Sequence, residues 1–197
     1  MLEIGCGYGY GSQIALIDYG AKSVVGIDAS KFQTERANKK IHGILKDRLT
    51  FLQSIAENIP FPDSSFNGIF SVEAVQHFNS VPSFVKESFR LLRKGGKIVF
   101  CTFYCNDKSN VETLKEKIPI YKAGLDNILI RDELLSFLEN TGFVDVKNKS
   151  IGKYVWDGFL GWTKQVRLPE KWIDAENRVK AYKQGVLDYG IFTATKV

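Results

Sequence analysis

The chain has 197 residues, of which 44% are hydrophobic and 25% charged, with a net charge of +5. That length suits one domain, or one domain with an appendage, and the composition excludes global disorder. The densest basic pieces, 94–97 and 147–153, are short and carry few aromatics, so the charge reads as a solvated surface rather than a nucleic-acid footprint.

No apolar run approaches ~18 residues, which excludes a helical membrane span. The opening Met1-Leu2-Glu3-Ile4-Gly5 is not a basic secretory leader. Cys6, Cys101 and Cys105 form no CxxC pair, so neither a disulfide framework nor a zinc ribbon is supported and no metal is expected. Free thiols point to a reducing, cytoplasmic compartment. Cys101 and Cys105 read as small apolar filler at a strand end.

In chain order, a strand ends at Ile4, glycines follow, and a helix begins near Ser12. Residues 23–27 are a short β-branched run, predicted as a buried strand. Ser30 is a predicted N-cap for a helix over 31–44. Strands follow at 49–53 and 68–72, the second preceded by the turn-rich 60–65. Val81, Phe84, Val85, Phe89 and Leu92 have helical spacing. Lys94-Gly95-Gly96 is expected to stop that helix, with a strand at 98–100. Leu134, Leu135 and Leu138 mark one side of a helix over 132–140, which Gly142 ends, and 144–149 is extended. Trp156, Trp162 and Trp172 all fall within 154–172, and 189–195 reads as a final strand. Alternating strands and helices predict an α/β fold: a doubly wound, mostly parallel sheet with helices on both faces and right-handed crossovers.

The glycine-rich turn carries the most information. A dinucleotide fingerprint needs G-x-G-x-x-G. Counted from Gly5 the third glycine would be Tyr10, and from Gly7 it would be Ser12, so both registers fail. No Gly-Lys-Ser/Thr ends the turn, so a phosphate P-loop fails too. Glu3 precedes the glycines, and an acidic group beside the turn suits a cationic ligand better than a pyrophosphate.

The segment Glu3-Ile4-Gly5-Cys6-Gly7-Tyr8-Gly9 resembles the first motif of the class I S-adenosylmethionine-dependent methyltransferases, in their small-molecule and lipid branch. Gly26-Ile27-Asp28-Ala29-Ser30 resembles the second. Residues 51–61 resemble the adenine-side segment, and Phe66-Asn67-Gly68-Ile69 and Lys94-Gly95-Gly96-Lys97 the blocks beside the next two strands. The resemblance covers roughly residues 1–150 and implies a Rossmann-like cofactor core there. Residues 151–197 would add lid helices and a final antiparallel strand. It implies S-adenosylmethionine as cofactor, with Gly5, Gly7 and Gly9 against its methionyl part and Glu3 favouring its ammonium, directly or through water. Asp28 would accept hydrogen bonds from the ribose hydroxyls, as an acidic residue does at this place in nucleotide-binding βαβ units. The other reading of Asp28 is a helix cap. Ala29 lies beside it.

Three departures from the family pattern stand out. Ile55 occupies the place of a common acidic side chain, so adenine would rest on backbone groups of Ile55 and Ala56 and on apolar packing. Asn67 replaces a common aspartate. Only four residues precede Gly5, which leads to the expectation of an incomplete enzyme.

Methyl transfer from a sulfonium needs alignment above all, worth up to ~7–11 kcal/mol in well-oriented systems. A hydroxyl acceptor also needs a base with a pKa near neutrality. After the 68–72 strand, Glu73 and His77 lie four apart and would share a face of a helix. His77 is the candidate base, or else a pocket-lining histidine, and Glu73 a positioning group; the other histidine, His42, reads as inert. Aromatics over 154–162 would cover a flat or greasy acceptor, or simply pack the terminal helices. No Asn-Pro-Pro-Tyr-like block or Pro-Cys pair follows the 68–72 strand, which argues against methylation of nucleobases. The expected partner is a small organic or lipid-like acceptor, with O-methylation favoured. The rivals are a nucleic-acid methyltransferase and a catalytically silent cofactor-binding protein.

Overall fold

Seven strands form one sheet in the order β3-β2-β1-β4-β5-β7-β6 in a computed structural model that describes residues 1–41, 43–165 and 169–197. The strands are β1 (Leu2–Ile4), β2 (Val24–Asp28), β3 (Leu49–Gln53), β4 (Phe66–Val72), β5 (Leu92–Cys105), β6 (Phe143–Ser150) and β7 (Leu187–Lys196). β1 to β5 pair in parallel, and β7 runs antiparallel to both of its neighbours, β5 and β6. All three residues of β1 are buried, as a central strand covered on both faces requires. The sheet is Rossmann-like and mostly parallel, as the strand and helix alternation predicts.

The helices are α1 (Tyr10–Ile17), α2 (Lys31–Lys39), α3 (Val81–Leu91), α4 (Val111–Lys117), α5 (Pro119–Lys122), α6 (Arg131–Thr141), α7 (Gly152–Gln165) and α8 (Pro169–Lys183). Among the described residues, three apolar clusters result. Phe84, Val85, Leu134 and Leu138 of α3 and α6 pack on Ile69, Ile98 and Phe100. Leu16 of α1 and Ala37 of α2 pack with Val24, Leu49 and Phe51. Leu114, Tyr121, Trp156 and Val179 pack with Phe103, Leu187 and Tyr189 at the far ends of β5 and β7.

Helix ends follow local chemistry. Ser30 and Ser80 accept N-cap bonds from the backbone N–H groups of Gln33 and Ser83. The last turn of α3 is closed from a distance, because Lys196 Nζ donates to the carbonyls of Phe89 and Leu92, both at 2.7 Å.

Three elements differ from the sequence expectation. α2 ends at Lys39 rather than 44; Asn38 in its last turn exchanges two hydrogen bonds with the backbone of Phe51, tying the turn to β3. Lys94-Gly95-Gly96 does not separate helix from strand. β5 already begins at Leu92, and residues 93–96 bulge out between the pairs Phe66–Leu92 and Gly68–Lys97. The short helices α4 and α5, which no strong periodicity announces, fill the connection after β5. His42 lies outside the described residues. Among the described residues, no helix is long and apolar enough to cross a membrane.

Candidate active site

The glycine turn joins β1 to α1 at the carboxyl edge of the sheet. The N–H groups of Gly5 and Cys6 both donate to the Ile27 carbonyl at 2.9 Å, which pins the turn to β2. Gly7 N–H donates to Asp28 Oδ2 at 2.9 Å, and Ser30 N–H donates to Asp28 Oδ1 at 2.9 Å. Asp28 thus knits the first two motifs together. Each of its oxygens keeps a further lone pair for a ligand.

Gly9 caps α1 with φ +79°, and a Cβ there would drive into the buried Phe51 ring. This glycine therefore serves the packing of the turn on β3. Glu3 is only 3% exposed. Its carboxylate lies under the Gly11 backbone, where a side chain would collide with it, and it accepts from the Ser12 hydroxyl and backbone N–H. Gly9 offers α1 no side-chain cap, and Glu3 caps the helix from below instead. It does not line the crevice, so of the two routes to the cofactor's ammonium that the resemblance implies, direct or through water, the direct one has no surface to form on. Burial pushes its carboxyl up to about 7.

Above the turn is a crevice of about 300 Å³. Gly5, Asp28, Ala29, Ile55 and Ala56 line it, with Ala74, His77 and Phe78 opposite. A larger cavity of about 840 Å³ opens on the other side of His77. Phe103, Ile120, Val155, Trp156, Phe159 and Trp162 supply its apolar wall, and Glu73, His77, Asp126, Asp174, Arg178 and Tyr189 its polar edge. Tyr154, within the aromatic segment, points away to solvent at 73% exposure, beside Lys153.

Glu73 and His77 reach the same cavity by a different route from the one their spacing suggests. Glu73 takes φ +54°, a left-handed turn, and Val75–His77 is a single 3₁₀ turn. Glu73 lines the cavity, and burial raises its carboxyl, with the Tyr189 hydroxyl donating to it and opposing the rise. His77 Nδ1 lies 2.9 Å from Asp126 Oδ1. That hydrogen-bonding contact raises the imidazole above its ordinary value. The carboxylate selects the tautomer with the proton on Nδ1 and leaves Nε2 as the basic atom. Gln76 Nε2 sits 3.3 Å from His77 Nε2 and donates to the Glu73 carbonyl at 2.9 Å, while Thr102 holds the other end of its amide.

Sequence patterns gave no hint of Asp126, Arg178, Tyr189 or Gln76. Asp126 stands in the unassigned connection after β5 and Arg178 in α8, and no local motif marks either. The only available signal was a single charged residue in 123–130, where Asn127 is the one other polar side chain.

Comparison with known proteins agrees with this geometry. A family model described as a methyltransferase domain matches residues 2–100. The chain is 28% identical over 159 residues to the sterol 24-C-methyltransferase of Aspergillus fumigatus, covering 77% of this chain and 41% of that one. It is 26% identical over 166 residues to the 27-O-demethylrifamycin SV methyltransferase of Amycolatopsis mediterranei, covering 83% of this chain and 60% of that one. The chain thus spans less than two thirds of the length of these relatives. Among solved structures, phosphoethanolamine N-methyltransferase 2 of Haemonchus contortus, in complex with S-adenosyl-L-methionine, shares the fold with a TM-score of 0.83 at 20% identity, over 100% of this chain and 48% of that one. With half of its length matched by the family model and the motif residues meeting at one sheet edge, the chain belongs to the class I methyltransferase family.

Proposed function

We propose that the chain binds S-adenosylmethionine in the crevice and methylates a small organic or lipid-like acceptor held in the adjoining cavity, with oxygen as the favoured acceptor atom. The observation that carries this reading is the position of His77, whose side chain lines both spaces.

The crevice fits the cofactor by its own chemistry. Asp28 is held rigid by two backbone N–H groups and keeps free lone pairs for the ribose hydroxyls. Ile55 and Ala56 supply an apolar edge and backbone groups for adenine. Gly5 and Ala29 line its floor, and the turn that continues through Gly7 and Gly9 frames the methionyl end. Bound there, the cofactor supplies an electrophilic methyl group. The remaining work falls to this chain's residues. The aromatic wall excludes water and orients the acceptor. His77 Nε2 takes the hydroxyl proton while Asp126 holds Nδ1–H and stabilises the imidazolium that forms. Glu73 and Tyr189 position the acceptor's polar end. Three free thiols suit a cytoplasmic setting.

The test is methyl transfer to a panel of hydroxylated amphiphiles, paired with calorimetry of S-adenosylhomocysteine. His77→Ala should lower the rate ~10²–10⁴-fold with product affinity unchanged. Asp28→Ala should weaken product binding. In the wild type the rate should rise with pH through an inflection above the ordinary histidine value of 6.5, because Asp126 favours the protonated ring. Asp126→Asn should move that inflection to lower pH. Wild-type product affinity in Asp28→Ala would remove the cofactor assignment, and full activity with an unchanged pH profile in His77→Ala would remove the base.

A further inference from the structure

The charges of the larger cavity are arranged in an uneven way. Among the described residues lining it, Arg178 is the one permanent cation, and its side chain is 5% exposed. Its Nε donates to Asp174 Oδ2 at 2.7 Å, and a terminal nitrogen lies 3.5 Å from Asp126 Oδ2. Its flat guanidinium lies 4.2 Å from the Phe103 ring centre and 5.2 Å from that of Tyr121. Two carboxylates and two aromatic rings already occupy the group that would recognise an anion. Glu73 adds a third carboxyl to the same wall. Carboxylates only accept hydrogen bonds, so an edge that carries three carboxyl side chains favours a group that donates. An alcohol, phenol or ammonium group donates one, and a fully ionised phosphate ester or carboxylate does not.

We infer that the acceptor is an uncharged or cationic amphiphile whose polar end donates a hydrogen bond, and that Asp174 and Asp126 exclude phosphorylated and carboxylated analogues by neutralising Arg178. This rests on the larger cavity being the acceptor site. Apolar walls hold the body of the molecule and cannot discriminate by charge, so among the described residues the choice falls to the charged groups at the polar edge, Arg178 and its carboxylates foremost. Asp174 is then a specificity-determining residue.

The test is quenching of tryptophan fluorescence, since Trp156 and Trp162 line the cavity, by dodecanol, dodecylamine and dodecyl phosphate below their micelle thresholds. Dodecanol and dodecylamine should quench saturably, and dodecyl phosphate should bind at least about tenfold more weakly, because an anion placed against unbalanced carboxylates is repelled. Asp174→Asn should release the guanidinium and narrow the gap between dodecyl phosphate and dodecanol about tenfold. If that variant does not fold, the wild-type series decides alone. Dodecyl phosphate binding as tightly as dodecanol in the wild type would overturn the inference while leaving the cavity as the acceptor site. No saturable quenching by any of the three would overturn the acceptor site itself, and the inference with it.

Discussion

Glu3 shows how a single buried carboxyl can work as a structural cap and still carry a titration. It lies under the glycine turn, held by Ser12, and burial pushes it up to about 7 from an ordinary 4.5. The folded chain therefore keeps a proton there that the unfolded chain loses near pH 4.5. Its contribution to stability is complete below pH 4.5 and is lost as pH rises through about 7. The size of that loss is on the order of 3 kcal/mol. Glu3→Gln should flatten the decline and leave the variant the more stable of the two at pH 8, read by urea denaturation across the range. An identical pH slope in both proteins would show that Glu3 ionises in the fold as it does in water. His77 is linked with the same sign: its ion pair with Asp126 is complete below 6.5 and lost as pH rises through the raised folded value. It is half exposed, so its share of stability is small and its effect belongs to the rate profile.

At the scale of elements, glycines of one composition carry opposite consequences. Gly9 holds a left-handed cap against the Phe51 ring, at a φ that favours glycine. Gly9→Ala should destabilise by about 1–3 kcal/mol through overpacking and should loosen the whole turn. Gly158 lies inside α7, where an added Cβ would meet open space. Gly158→Ala should stabilise by about 0.5–1 kcal/mol through helix propensity. Thermal denaturation of the two variants checks both signs, and a shift in the same direction for both would contradict the assignment of Gly9 to packing. The boundary between α3 and β5 makes a related point. Lys94-Gly95-Gly96 has the composition of a stop signal, yet the sheet absorbs it as a bulge, because pairing with β4 resumes at Gly68–Lys97. Local chemistry forecasts a break in the chain's direction there, but only the neighbouring strand decides whether it ends an element.

Across the molecule, the apolar interior falls into separate clusters, and the one beneath α7 and α8 is distinct from the one at the sheet centre. Trp156 anchors the former, with ring centres of Phe159, Tyr182 and Tyr189 at 6.2, 6.1 and 6.3 Å. Trp156→Ala should cost about 3–5 kcal/mol in that cluster. Hydrogen exchange should then speed up in 152–165 and 173–183 while β1 to β4 keep their protection, so that the cavity wall opens apart from the sheet. Uniform loss of protection over the whole chain would instead make the terminal helices part of one cooperative core.

Most of the sheet, the glycine turn and the place of Asp28 at a strand end were legible in the amino-acid order, because each depends on residues close in the chain or on strand and helix periodicity, whereas the bond from Gly7 to Asp28 was not. The turn needs glycines at fixed spacing, and Asp28 ends a strand whose apolar run is plain. The antiparallel β7 came from family likeness, not from periodicity, which carries no direction. The polar machinery around His77 was out of reach for a different reason. Arg178 meets Asp126 across 52 residues of chain, and Tyr189 reaches Glu73 from the last strand. Such encounters are set by where the crossovers place the sheet's carboxyl edge, and a side chain's neighbours across that edge leave no periodic trace. Even the shared cavity of Glu73 and His77, suggested by a spacing of four, is produced by a left-handed turn and a 3₁₀ turn rather than by a helix face. Local sequence thus specified which chemistry the chain carries, and tertiary packing alone decided which groups stand within reach of one another, because proximity between distant residues is a property of the folded sheet.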